Sequence, residues 1–301
     1  MTGSSGNLAS AIIPLLQKRG DTIIGADTAP PSIEGIVHQN LDITDGKRVI
    51  EVMEKHKPDL VIHLAAETNV DRCQIEPERA HRINASGTSN LALACKGLGA
   101  SMVYLSTGEI FDGDKLTPYV ETDQPNPVNV YAQSKLDGEI AVRAALTKYF
   151  IVRSGWLFGG GGKDAKFVGK IIKILETAQE VKAVDNIFGS PTYINDLASN
   201  ILRLVDSGKY GLYHMCNKGF VSRYDMARKI VEVLEKKEVK VVPVSSEVFP
   251  MPAKRGRSEV LENHNLMIAG LDFMPSWDDA LKRYLRSFPQ KPIEPHITEK
   301  I

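Results

Sequence analysis

Cysteine is scarce: Cys73, Cys95 and Cys216 are the only three in 301 residues, far apart and outside any CxxC or Cys/His cluster. A disulfide scaffold and a zinc site are therefore not expected, no metal is assigned, and a reducing cytoplasm is the expected location. Charge of one sign is also lacking, because 37 basic residues meet 37 acidic ones. The balance leaves no electrostatic footprint for nucleic acid or an anionic membrane surface. Long apolar runs are missing too, and the first residues show no charged stretch leading into an apolar one. Neither a signal peptide nor a membrane span is indicated. Repeats and low-complexity tracts are absent, and the length suffices for a large core with a second lobe.

What is present is alternation. Short β-rich runs at 21–26 (DTIIGA), 60–65 (LVIHLA), 101–106 (SMVYLS) and 149–154 (YFIVRS) are separated by helical periodicity, as at 47–56 and 82–98. Strand, helix, strand in this rhythm predicts an α/β fold of Rossmann type, a doubly wound parallel sheet with helices on both faces. Past Trp156 the rhythm changes: a glycine run at 159–162 precedes helical patterns near 167–178 and 223–236, and the tail from 249 is richer in proline and basic residues. The expected organisation is a dinucleotide-binding domain over 1–155, with 187–216 returning to it, and a smaller C-terminal substrate lobe from 156–186 and 217–301.

Three stretches carry chemistry. In TGSSGNLA (2–9), Gly3 and Gly6 permit a tight turn and close approach of backbone to a pyrophosphate, with the helix entered at Asn7 and Leu8 offering free N–H groups. A flexible glycine turn explains such a pattern equally well. Asp27 follows the second strand, where a carboxylate accepts hydrogen bonds from an adenosine ribose and repels a 2′-phosphate. Asp42 and Ile43, after a short strand near 36–40, fall where an adenine edge would lie, although either acid also reads as a solvated strand end. In YAQSK (131–135), Tyr131 and Lys135 stand one helical turn apart on one face. A phenol with a pKa of about 10 is a proton donor at neutral pH, and a neighbouring ammonium favours its phenolate, the pairing needed for acid catalysis on a carbonyl. Thr107 ends the strand of 101–106, the edge of an open α/β sheet where ligands sit. His63 and His214 lie inside apolar strands and read as structural.

Together with HLAAETNVD (63–71), Asn84 and LSTGEIFDG (105–113), these stretches resemble the extended short-chain dehydrogenase/reductase superfamily. RSGW (153–156), VDNIFGSPTYINDLA (184–198), GLYHMCN (211–217) and RGRSEVLEN (255–263) narrow the resemblance to the dTDP-4-dehydrorhamnose reductase family, over nearly the whole chain and in order. The resemblance implies reduction of the 4-keto group of a dTDP-deoxysugar by NADH or NADPH, in nucleotide-sugar and polysaccharide synthesis. It implies Tyr131 as proton donor, Lys135 as its partner and ribose ligand, and Thr107 as the third catalytic member. Gly3, Gly6, Asn7 and Leu8 would line the pyrophosphate, Asp27, Asp42 and Ile43 the adenosine, and Ala65, Ala66, Thr68 and Asn84 the path to the nicotinamide. Thr107, Gly108, Trp156 and Arg255 would meet the substrate, with Trp156 otherwise a core residue and Lys254 and Arg257 equal to Arg255 in charge. Asp27 favours NADH. A homodimer is compatible with the resemblance.

The departures are as informative. Gly108 and Glu109 stand where these reductases usually carry Asp-Tyr, which puts the sugar in question, and Gly256 stands where a proline is usual, a change expected to loosen its loop. Glu109 also resembles the Glu of the Thr-Asp-Glu set of nucleotide-sugar 4,6-dehydratases, where an acid and a base eliminate water, but the Asp that would be the proton donor is missing. A dehydratase or epimerase with bound NAD, and a non-catalytic regulatory subunit of a methionine adenosyltransferase, are the alternatives from other classes. Only Met1 and Thr2 precede the glycine turn, where a central strand normally runs. The first strand is expected to be truncated, with a natural start about six to eight residues upstream by the length typical of strands.

Overall fold

The computed structural model of the chain describes residues 1–31 and 33–288. Parallel strands β1 (Ile24–Asp27), β2 (Val37–Asn40), β3 (Leu60–His63), β4 (Ser101–Thr107) and β5 (Tyr149–Ser154) form the main sheet, with Gly211–His214 added beside β5. Both faces are buried, as the alternation on β4 and β5 shows. Met102, Tyr104 and Ile151 enter a core with the helices Gly46–His56, Thr88–Leu98 and Val130–Ala145, whereas Val103, Phe150 and Val152 enter one with α1 (Asn7–Arg19) and the helix Ile194–Ser207. Side chains alternating between two apolar layers are what a doubly wound sheet requires.

The slot between β1 and β3 is occupied by Met1 and Thr2. The Met1 ammonium donates to Ile24 O (2.7 Å) and Ala26 N donates to Met1 O (2.8 Å), while Thr2 N donates to Ile62 O (3.0 Å) and Leu64 N to Thr2 O (3.2 Å). Thr2 thus makes a bridge, rather than a strand, to each neighbour. The backbone groups closest to the glycine turn are paired, and those are the ones that fix the turn's position. Burial lowers the Met1 ammonium to about 6.

Beyond β5 the chain builds small sheets at the carboxyl edge. Phe188–Gly189 lies between Val221–Ser222 and Ser258–Glu259, so Glu259 is in register with Gly189. Glu180–Val184 pairs in parallel with Lys240–Val244. Gly256 does more than replace a proline: a Cβ there would stand 2.6 Å from Asp112 O and 3.0 Å from the Gly113 Cα. The missing side chain lets two backbones touch. No helix of the described residues is long and apolar enough to cross a membrane.

Candidate active site

A cleft of about 640 Å³ runs along the carboxyl ends of the strands, the edge where open parallel sheets take ligands. Gly3, Gly6, Asn7 and Leu8 line one end, with Asp27, Asp42 and Ile43 beside them; Ala65, Ala66 and Thr68 follow, then Thr107, Tyr131, Lys135 and Trp156. Gly3 has φ +66°, and a Cβ on it would lie 2.6 Å from Ala65 N. Only glycine fits that turn against the loop after β3. No side chain caps α1 at Gly6, so its first N–H groups and the positive end of its dipole face the cleft. Asn7 ties this turn to the distant glycine run through Nδ2 to Gly159 O, 2.7 Å. The Asp27 carboxylate accepts from Ser5 N and Ala29 N, each at 3.0 Å.

At the other end, Asn129 caps the helix Val130–Ala145 by accepting from Ala132 N (2.9 Å), and the next turns carry Tyr131 and Lys135. Burial, helped by the Glu109 charge, pushes the Tyr131 phenol above its ordinary range, and the Thr107 hydroxyl opposes the shift. The phenol is thereby kept protonated at neutral pH. Burial lowers the Lys135 ammonium to about 7, against the pull of Glu139. Its Nζ stands 4.1 Å from the centroid of the Tyr104 ring, whose hydroxyl donates to Lys135 O at 3.1 Å. Below it, Glu139 takes a two-pronged bond from the buried Arg153 (2.9 and 2.6 Å) and a third from Ser106 Oγ. A buried ion pair is strongly disrupted when one partner is removed.

Three candidates from the sequence stand off the cleft wall. Asn84 is fully buried, receives Glu67 N on Oδ1 (2.9 Å) and donates from Nδ2 to Glu67 O (3.0 Å) and Ser134 Oγ (2.9 Å). It joins the loop of Ala65 and Thr68 to the helix of Tyr131 and stands one layer behind both. Gly108 turns toward Leu261, where a Cβ would come within 3.1 Å of Cδ1. Arg255 is paired with Asp71 at 3.1 Å and donates to Ala253 O at 2.6 Å. His63 is held between Thr2 Oγ1 (2.7 Å) and Thr88 Oγ1 (2.9 Å), burial lowering its pKa well below the ordinary value. His214 is likewise lowered, to about 3.

The wall also contains Glu67, Arg79, Arg82, Lys166, Phe167, Arg223 and Glu259, which sequence reasoning did not single out, and Glu109, which it weighed only as a departure. Trp156 lies at φ +38°, rare for a residue with a side chain, and its indole covers Gly189, where a Cβ would be 2.3 Å from the ring. The Arg223 guanidinium stacks 3.4 Å from the Trp156 ring centroid and 4.7 Å from that of Phe167. The only advance signal for these was position: Arg223 opens a helix capped by Ser222, and Glu259 lies within RGRSEVLEN.

The family described as RmlD substrate binding domain matches residues 1–289. The chain belongs to this family. It is 35% identical over 285 residues to the dTDP-4-dehydrorhamnose reductase of Mycolicibacterium smegmatis, covering 94% of this chain and 83% of that one. A solved dTDP-4-dehydrorhamnose reductase from Clostridium acetobutylicum superposes with a TM-score of 0.88 at 38% identity, covering 95% of this chain and 97% of that one. The corresponding enzyme of Bacillus anthracis, solved in complex with NADP, also gives 0.88 at 35% identity, covering 95% and 98%. Members of the RmlD family among these relatives are thus reductases, and the glycine turn, the free helix N-terminus and Asp27 form a cradle that fits a nicotinamide dinucleotide.

Proposed function

We propose that this chain reduces the 4-keto group of a dTDP-linked deoxysugar, dTDP-4-dehydrorhamnose to dTDP-rhamnose, in nucleotide-sugar synthesis. The observation that carries the reading is that Thr107, Tyr131 and Lys135 share one cleft with the dinucleotide cradle of Gly3, Gly6, Asn7 and Leu8. A reduced nicotinamide, when bound, supplies the hydride. Tyr131 supplies the proton to the carbonyl oxygen, the role its buried and protonated phenol suits. Thr107 orients that oxygen from the end of β4, and Lys135 holds the ribose and the phenolate that remains. Asn84 and Glu139 are positioning residues for this helix. Asp27 places a carboxylate where a 2′-phosphate would bring like charge, so NADH is the favoured cofactor. The residues before Trp156 and those of 187–216 serve the dinucleotide, and the remainder builds the sugar lobe.

The test is oxidation of NADH and of NADPH, each with dTDP-4-keto-6-deoxy-L-mannose, followed by the loss of reduced-nicotinamide absorbance. Turnover faster with NADH supports both parts of the reading. Binding of the dinucleotide without turnover would refute the reductase.

A further inference from the structure

Gly159, Gly160 and Gly161 follow one another at φ +123°, +91° and +61°, three residues of the greatest backbone freedom in a row. Yet Gly159 O must stay 2.7 Å from Asn7 Nδ2 for the tie to the dinucleotide turn to hold. Asp164 folds back over the run: its Oδ2 accepts from Gly159 N (3.1 Å) and its Oδ1 from Lys166 N (2.9 Å). Tyr284, on the helix Trp277–Arg286, donates its phenol O–H to the same Oδ2 at 3.1 Å, and that oxygen lies 3.4 Å from Gly161 O. The Tyr284 ring is buried among those of Phe158, Tyr193 and Phe288, with centroids 5.7, 5.6 and 5.0 Å away. A Cβ on Gly159 would meet Ile194 Cγ1 at 2.7 Å and the Tyr193 ring at 3.0 Å, and one on Gly160 would overlap the Asn7 amide. The run is therefore clamped between the C-terminal helix and the first turn of α1.

We propose that Tyr284 and Asp164 are positioning residues for dinucleotide binding: through Gly159 they hold Asn7, and with it the first turn of α1, against the pyrophosphate. The inference rests on the dinucleotide reading of the cleft and is independent of the sugar reduced. Asn7 is the first residue of α1, so whatever fixes Asn7 fixes where the uncapped N–H groups point. A loop ordered before the ligand arrives also reduces the freedom lost on binding. Burial and the Asp164 charge hold the Tyr284 phenol well above its ordinary pKa, which keeps it a donor at neutral pH. Neither Tyr284 nor Asp164 lines the cleft, so each acts on the ligand only through Asn7.

The test is titration of NADH, followed by its fluorescence, into wild type, Tyr284→Phe, Asp164→Asn, Asn7→Ala and the double variant Tyr284→Phe/Asn7→Ala, beside dTDP binding by calorimetry. Tyr284→Phe keeps the ring in its aromatic packing and removes only the donor. It is expected to weaken NADH about three- to tenfold, and dTDP by less than about twofold. Asp164→Asn leaves one acceptor oxygen for three donors and should give a similar loss. The double variant carries the decision: a residue that acts through Asn7 adds nothing once Asn7 is gone, so it should bind NADH no more weakly than Asn7→Ala alone. Losses that multiply in the double variant would overturn the inference. Equal weakening of NADH and dTDP would do the same, as would unchanged NADH affinity in both Tyr284→Phe and Asp164→Asn. A wild type that binds no NADH would remove the dinucleotide reading and this inference with it. Binding without turnover would remove the reductase and leave the positioning pair standing.

Discussion

Tyr131 acts through one oxygen atom, and the residues around it matter by what they do to that atom's proton. Tyr131→Phe keeps the ring and removes the donor. Turnover should fall by about 10²- to 10⁴-fold with dinucleotide affinity unchanged within about twofold, measured by steady-state kinetics beside direct titration of the cofactor. Glu259 gives a second test at this scale, through stability. Its folded pKa of about 8 lies above the ordinary 4.5, so the folded chain keeps a proton that the unfolded chain has lost. That contribution is complete below about pH 4.5 and disappears as pH rises through 8. Relative to Glu259→Gln, which cannot ionise, the wild type should therefore lose melting temperature between pH 5 and 8. Parallel melting curves across that range would contradict it.

At the scale of elements, the helix of Tyr131 is fixed from behind by a short irregular turn. Residues 82–98 show unbroken helical periodicity in sequence, yet the structure divides them into a π-turn, Arg82–Gly87, and an α-helix, Thr88–Leu98. The wider turn carries Asn84 with its three hydrogen bonds. Asn84→Ala leaves those partners unmet, at about 1–3 kcal/mol each at most, and should lower the denaturation midpoint and kcat together, while Asn84→Asp restores the acceptor for Glu67 N but not the donors. What was legible follows from this contrast. β5 and its neighbours could be read because short continuous apolar runs mark strands buried on both faces, and the Tyr131 helix because its spacing is chemical. The π-turn is invisible to periodicity, since six residues are too few to show a change of repeat. Arg223 and Glu259 were illegible for another reason: their meeting depends on pairing between Gly189 and Glu259, remote in sequence, which no local pattern encodes.

On the scale of the whole molecule, the two halves share one interior. Leu8, Ile12 and Val152, from the first 155 residues, lie in the same apolar cluster as Met226, Ile230, Leu281 and Tyr284. A core continuous across both halves predicts a single cooperative transition. Unfolding followed by tryptophan fluorescence, from Trp156 and Trp277, should coincide with the loss of far-ultraviolet circular dichroism. Separate midpoints would show that the C-terminal segments melt alone.

Trp156 and Gly189 occupy one volume between them. The indole fills the space that any side chain at position 189 would need, from a left-handed backbone at 156. In a saturation library covering both positions, single replacements at 189 should be depleted, and survivors should be double variants in which the ring has shrunk as the glycine has grown. The two sites, far apart along the chain, would then drift through sequence space as a single character.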